Sequence, residues 1–307
     1  MRVLLTNDDG FGAEGIGAVR AALTDLFDSV ITVAPEADSS GFARGCTFSR
    51  PVAVTRVTGG RHPVYRCDGT PVDCVRAGLL FGLAAEADLV VSGINHGANL
   101  ADDVVYSGTI GAGLEAAILG TPAVCLSQQT PTGSFSVNYR EDLASTGLAY
   151  DFSFAAAHGA QLARSVIQAH PAEPVVLSVN YPARRAADVN VLTRPGRRAY
   201  PRAEMPGWDG DGGVRLLYLF GQPDEDIPEA DASTGTDIGA LRAGQVSVTP
   251  LSSGASAAGS SEEFQSFIAR LTEAFPIASP ATGDQASPQH AYLAFPAAFH
   301  DHEGYVV

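Results

Sequence analysis

Short apolar runs alternate with longer segments whose apolar residues recur at helical spacing, and this alternation is regular through the first half of the chain. Residues 3–6, 30–34, 89–92 and 123–127 read as strands, and residues 13–27 and 109–119 as helices between them. Val3-Leu4-Leu5 is continuously apolar, as a strand covered on both faces must be. Residues 70–83 predict a further helix, with Thr70 as its N-cap and Pro71 in the first position, where the missing N–H costs nothing. Residues 47–57 alternate and, with 63–67, suggest a hairpin or an edge pair. A loop rich in Gly and Asn spans 93–107. Strand–helix–strand alternation of this kind predicts an α/β fold: a Rossmann-like, mostly parallel sheet flanked by helices.

The second half is less regular. Residues 128–150 are polar with no clear period. Residues 154–169 predict a helix, 175–180 a strand and 245–250 another strand. Residues 189–200 and 214–220 suggest the strands of a hairpin or an oligomerisation arm at about 186–235, with an acidic loop over 223–236. A last helix is expected over 261–275, capped by Ser260 or Ser261 with two glutamates behind it. The expected organisation is a single domain over 1–275, including the arm, and a Pro-, Ala- and His-rich tail over 276–307.

Composition narrows the function. The chain has 307 residues, 45% hydrophobic and 17% charged, enough for a sizeable core. Its net charge is −15, from 19 basic and 34 acidic residues, and every basic residue is Arg. So acidic a surface repels a polyphosphate backbone, which argues against a nucleic-acid polymer as partner. A small phosphorylated substrate stays open, because a bound cation reverses the local field. Without Lys, neither a P-loop lysine nor Schiff-base chemistry is available. No stretch is long and apolar enough for a membrane span. The chain enters its first strand with no signal-like segment, and Cys46, Cys67, Cys74 and Cys125 lack paired metal-ligand spacing; a cytoplasmic protein with small buried thiols is expected.

The candidate chemistry begins where the first strand stops, in Asn7-Asp8-Asp9-Gly10. Two adjacent carboxylates at the end of a buried strand are costly unless a cation sits between them. Pro35-Glu36-Ala37-Asp38-Ser39-Ser40-Gly41 follows the second strand. Ser92-Gly93-Ile94-Asn95-His96-Gly97-Ala98-Asn99 follows the third. A parallel sheet brings such loops to one edge, where α/β proteins bind ligands. Carboxylate, hydroxyl and amide oxygens suit a hard divalent cation. Tyr106-Ser107-Gly108-Thr109 opens a helix, whose first amides suit a phosphate. Each segment also has an ordinary structural reading, as a turn, an N-cap or a glycine-permitted bend. Among the oxygen donors, His96 reads as a loop residue rather than a ligand. Trp208-Asp209-Gly210-Asp211-Gly212-Gly213 reads as a solvated turn, since no Glu follows at calcium-loop spacing. His300-Asp301-His302 reads as part of the tail.

These motifs resemble the SurE family of survival-protein nucleotidases. The resemblance rests on Leu5-Thr6-Asn7-Asp8-Asp9-Gly10, on Val33-Ala34-Pro35 followed by Ser40-Gly41, and on Gly69-Thr70-Pro71-Val72-Asp73-Cys74-Val75. It continues through Val91-Ser92-Gly93-Ile94-Asn95-His96-Gly97-Ala98-Asn99, Asp103-Val104-Val105-Tyr106-Ser107-Gly108-Thr109 and Val246-Ser247-Val248-Thr249-Pro250-Leu251. It is dense over residues 1–127 and patchy to about 251. It implies that Asp8, Asp9, Ser40 and Asn95 hold one divalent cation per subunit, Mg²⁺ or Mn²⁺. It implies that Asn95, Ser107, Gly108 and Thr109 meet the substrate phosphate; of the two aspartates, whichever of Asp8 and Asp9 is less tied to the metal is the expected base. The implied activity is hydrolysis of nucleoside 5′-monophosphates by a homodimer or homotetramer. A broader phosphatase, acting on 3′-nucleotides or short polyphosphate, and a non-catalytic nucleotide-binding protein are the alternatives. Ala37, Asp38 and Ser39 stand where the family usually carries basic residues.

Overall fold

A computed structural model describes residues 1–133, 146–186, 189–198, 235–252 and 262–278. Ten strands form one sheet: β1 Arg2–Thr6, β2 Ser29–Pro35, β3 Val54–Thr58, β4 Val64–Cys67, β5 Leu89–His96, β6 Ala123–Gln128, β7 Val176–Tyr181, β8 Asn190–Leu192, β9 Val246–Leu251 and β10 Ile277–Ala278. Among the described residues the α-helices are α1 Glu14–Leu26, α2 Pro71–Leu79, α3 Gly108–Ile118, α4 Ser153–Gln168, α5 Asp237–Arg242 and α6 Glu262–Ala274.

The strand order is β10-β8-β9-β7-β6-β5-β1-β2-β4-β3. The six central strands, from β4 to β7, are mutually parallel. β3 is antiparallel to β4, and β9 is antiparallel to β7 while running parallel to β8. Along the chain the sheet grows from β1 outward to β2, then returns to β5 on the other side of β1. This reversal opens a crevice beyond the ends of β1 and β5, where an α/β sheet binds its ligand.

The apolar run of β1 divides between two cores. Val3 and Leu5 face the core that holds Ile16, Val19 and Leu23 of α1 and that extends to α4 and to Phe267 and Leu271 of α6. Leu4 faces the opposite way, among Cys74 and Val75 of α2 and Ile110, Ala112 and Ala116 of α3. All three side chains of that run have no exposed surface. At about 25 cal/mol per Å² of apolar area, such double-sided burial sets the strand's place in the sheet. α2 starts as its cap residues predict: Thr70 Oγ1 accepts the Asp73 N–H at 3.2 Å, and Asp73 accepts the Thr70 N–H at 2.9 Å. Asp73 also accepts the N–H and hydroxyl of Thr47, which anchors the loop after β2 to this helix.

Several boundaries differ from the sequence expectation. β5 continues to His96 instead of ending at Ser92, because Asn95 and His96 still pair with Ser127 and Gln128 beyond an irregularity. The rest of the expected loop contains a 3₁₀ turn, Ala101–Val105. α2 stops at Leu79, not residue 83, because the chain turns there to return to the sheet. Only Val54–Thr58 of the expected strand over 47–57 pairs with β4; before it, the segment is occupied with Asp73 and Asp68. Within the expected strand over 189–200, Asn190–Leu192 pairs inside the main sheet and Arg194 forms a lone parallel bridge with Thr236, while residues 199–200 lie outside the described residues. Ile277 and Ala278 pair with β8, so the sheet runs past residue 275 into the expected tail. Most of the expected arm, residues 199–234 with the strand over 214–220 and the turn over 208–213, lies outside the described residues, as does the tail from 279 onward.

Candidate active site

The loop after β1 is a tight turn. Asn7 Nδ2 donates to the Gly10 carbonyl at 2.9 Å, and Gly10 takes φ +103°, a conformation that penalises any residue with a Cβ. The Phe11 N–H donates to the Pro35 carbonyl, and the Ser39 N–H to the Asp8 carbonyl, so the loops after β1 and β2 are stitched together. This turn aims Asp8 at the start of α3 and Asp9 at the end of β5.

Asp8 is buried and accepts two hydrogen bonds from one residue: the Thr109 N–H to Oδ2 at 3.0 Å and the Thr109 hydroxyl to Oδ1 at 2.5 Å. Gly108 makes the approach possible, since a Cβ there would lie 2.9 Å from Asp8 Cβ and Oδ2. Burial first, and the neighbouring charge of Asp9 second, push the Asp8 carboxyl up to about 7; the Thr109 donors offset this only in part. The Asp9 side chain is 3% exposed. Its Oδ2 accepts the His96 N–H at 3.2 Å and lies 3.1 Å from His96 Nδ1. Its Oδ1 is buried with no hydrogen-bond partner.

The other expected site residues sit around this pair. Ser107 caps α3, its Oγ accepting the Ile110 N–H at 3.1 Å. Ser40 lies on the exposed loop after β2 and donates its hydroxyl to Asp38 Oδ1 at 2.6 Å. Asn95 stands near the end of β5, its Nδ2 donating to the Gly97 carbonyl at 2.9 Å. The structure therefore brings Asp8, Asp9, Ser107, Gly108 and Thr109 into one chain of contacts. Both Thr109 donors go to Asp8, which no reading of the turn as a phosphate cradle anticipates. His96, assigned to a loop by its sequence, is the last residue of a strand and touches Asp9. Tyr150 and Phe152, which flank His96 at 4.9 and 5.0 Å between ring centroids, belong to a stretch whose sequence shows no sign of the site.

The residues fit a cation. A carboxylate raised to about 7 beside a second carboxylate with an orphaned buried oxygen is an arrangement a positive charge relieves. Among the described residues no three His, Cys, Asp or Glu side chains gather at one point, so further donors would be hydroxyl, amide or water oxygens. That is a hard-cation donor set.

The family model described as "Survival protein SurE" matches residues 3–202. The chain belongs to the SurE family. It is 37% identical over 253 residues to the 5′-nucleotidase SurE of Geobacter sulfurreducens, covering 82% of this chain and 87% of that protein. It is likewise 37% identical over 254 residues to the 5′-nucleotidase SurE of Laribacter hongkongensis, covering 82% and 93%. The crystal structure of the SurE protein from Aquifex aeolicus superposes with a TM-score of 0.64 at 32% identity, covering 84% of this chain and 95% of that one. The shared SurE fold is thus the mostly parallel α/β sheet described above.

Proposed function

We propose that this SurE-family chain is a divalent-metal-dependent 5′-nucleotidase, hydrolysing nucleoside 5′-monophosphates to nucleoside and phosphate. The observation that carries this reading is the buried Asp8–Asp9 pair, with its orphaned Asp9 Oδ1, set against the first turn of α3. The names of the relatives agree with it.

Asp8, Asp9, Ser40 and Asn95 would hold one cation, Mg²⁺ or Mn²⁺, per subunit. Ser40 spends its proton on Asp38, which leaves lone pairs on the hydroxyl oxygen. Asn95 spends its amide N–H on Gly97, which leaves the carbonyl oxygen as the donor atom. Such a cation supplies charge neutralisation for the phosphoryl group and lowers the pKa of a water. Either Asp8 or Asp9 accepts the proton of the attacking water. The Gly108 N–H and the Ser107 hydroxyl, at the positive end of the α3 dipole, offer donors to the phosphoryl oxygens. Thr109 and Asn95 are the further expected contacts of the phosphate, and in this structure both Thr109 donors are held by Asp8.

A homodimer or homotetramer is in keeping with Phe48 and Phe81, which are 91% and 82% exposed as a single chain. All four cysteines are free, as a reducing cytoplasm would keep them. Among the described residues, no helix is long and apolar enough to cross a membrane. The test is phosphate release from a panel of 5′- and 3′-mononucleotides and short polyphosphate, with chelator and with added Mn²⁺ or Mg²⁺. Metal-dependent release confined to 5′-monophosphates is the expected result. Release from all substrates alike would make the enzyme a broader phosphatase, and nucleotide binding without release would make it a non-catalytic binder.

A further inference from the structure

We infer that His96 is a positioning residue for Asp9: it fixes one carboxylate oxygen so that the other is presented to the cation. The inference rests on the reading of Asp9 as a metal ligand. Both contacts to Asp9 Oδ2 come from His96, its backbone N–H at 3.2 Å and its ring Nδ1 at 3.1 Å. The ring nitrogen lies against the carboxylate oxygen without the geometry of a hydrogen bond. Two contacts on one oxygen hold the carboxylate against rotation. The direction of Oδ1, the buried oxygen without a partner, is then set by the protein.

The clamp is itself held. His96 pairs with Gln128 across β5 and β6, and the next amide, Gly97 N–H, donates to the Gln128 carbonyl at 2.9 Å. The imidazole meets the Tyr150 ring at 85° and the Phe152 ring at 82°, edge to face. Those two rings stack on each other at 4.9 Å and 3°, and Phe152 is 5% exposed at the start of α4. A ring wedged against such a stack has its plane fixed. Partners of this kind, which touch a ligand side chain and not the metal, typically alter metal affinity by roughly 10- to 100-fold when removed.

Substitution of His96 removes the ring and leaves the backbone N–H, so the two contacts separate cleanly. The experiment is calorimetric titration of the full chain with Mn²⁺ alone, for wild type, His96→Ala, His96→Asn, Phe152→Leu and Asp9→Asn. The half-saturating Mn²⁺ for nucleotide hydrolysis is measured alongside. His96→Ala is expected to weaken Mn²⁺ by roughly tenfold or more, with kcat at saturating Mn²⁺ little changed. His96→Asn, whose Nδ2 reaches about as far as Nδ1, is expected to recover most of the loss, which a merely space-filling role would not allow. Unchanged Mn²⁺ affinity in His96→Ala, or no recovery in His96→Asn, overturns the inference. Should His96→Ala not fold, Phe152→Leu reads the same quantity: weakened Mn²⁺ binding supports the clamp, and wild-type binding overturns it. If Asp9→Asn loses Mn²⁺ while His96→Ala keeps it, only the clamp fails. If Asp9→Asn binds as wild type does, the reading of Asp9 as a ligand fails first.

Discussion

Two of the places where this protein buries a carboxylate treat it in opposite ways. At the start of α5, Asp237 is 1% exposed and fully employed. Its Oδ1 accepts the Gly196 and Ile238 N–H groups and its Oδ2 the Ala101 N–H, each at 2.8 Å. Burial still pushes its carboxyl up, to about 6, but two of its bonds tie the backbone at Ala101 and Gly196 to the start of α5. At the end of β1, Asp8 and Asp9 share one pocket of buried space, and Asp9 Oδ1 has nothing to accept. A satisfied buried carboxylate is a structural joint; an unsatisfied pair is a ligand set waiting for a charge. Both readings follow from the same desolvation cost, and only the partner count separates them.

The strongest way to break the comparison is Asp8→Asn. Turnover is expected to fall by about three orders of magnitude or more, equivalent to about 4 kcal/mol in the barrier. Thermal stability in chelator should hold or rise, since the substitution removes a crowded buried charge. A variant that keeps most of its metal-dependent activity would sink the assignment.

Asp237→Ala tests the other half. It strands three backbone N–H groups, so a loss of about 3 kcal/mol in chemical denaturation is expected. Turnover per folded molecule should be unaffected. Equal stability of variant and wild type would mean that Asp237 is no joint.

Titration adds a third group to the comparison. His158 on α4 lies among Tyr181, Phe154 and Phe275, and burial holds its pKa down to about 4 from 6.5. A base depressed in the folded state contributes stability that is complete above pH 6.5 and lost as pH falls toward 4. The loss is at most about 3 kcal/mol. Denaturation of His158→Gln across this window should give a flatter profile than wild type. An unchanged profile would assign the acid sensitivity elsewhere.

The smallest expected effect is that of Gly108→Ala. In an ordinary helix, Ala in place of Gly gains about 0.5–1 kcal/mol. Here the new Cβ would press on Asp8, so the sign should reverse, with about 1–2 kcal/mol lost and turnover down by about tenfold. A stabilised, fully active variant would show that the Asp8–α3 contact has slack.

Much of this was legible beforehand where local rules govern. The N-cap at Thr70, the helix starting at Ser107 and Gly108, and the buried run of β1 all stand in the chain as written. The extension of β5 to His96 was not, because pairing with Gln128, more than thirty residues away, keeps the chain extended through a glycine-containing segment that local preference reads as loop. The commitment of Thr109 to Asp8 was equally hidden, since a hydroxyl at a helix start fits a phosphate and a carboxylate alike.

The sequence by itself determined that a buried strand ends in two carboxylates and that loops able to answer them follow other strands of the same sheet. Strand period, apolar runs and cap residues are short-range properties, so they survive in a linear reading. Only the tertiary structure decided which oxygen of Asp9 is left unpartnered, that Asp237 is a joint, and that His96, Tyr150 and Phe152 stand together behind the site. These depend on contacts between residues far apart in the chain, and the energy of a buried polar group is set by the few atoms that surround it.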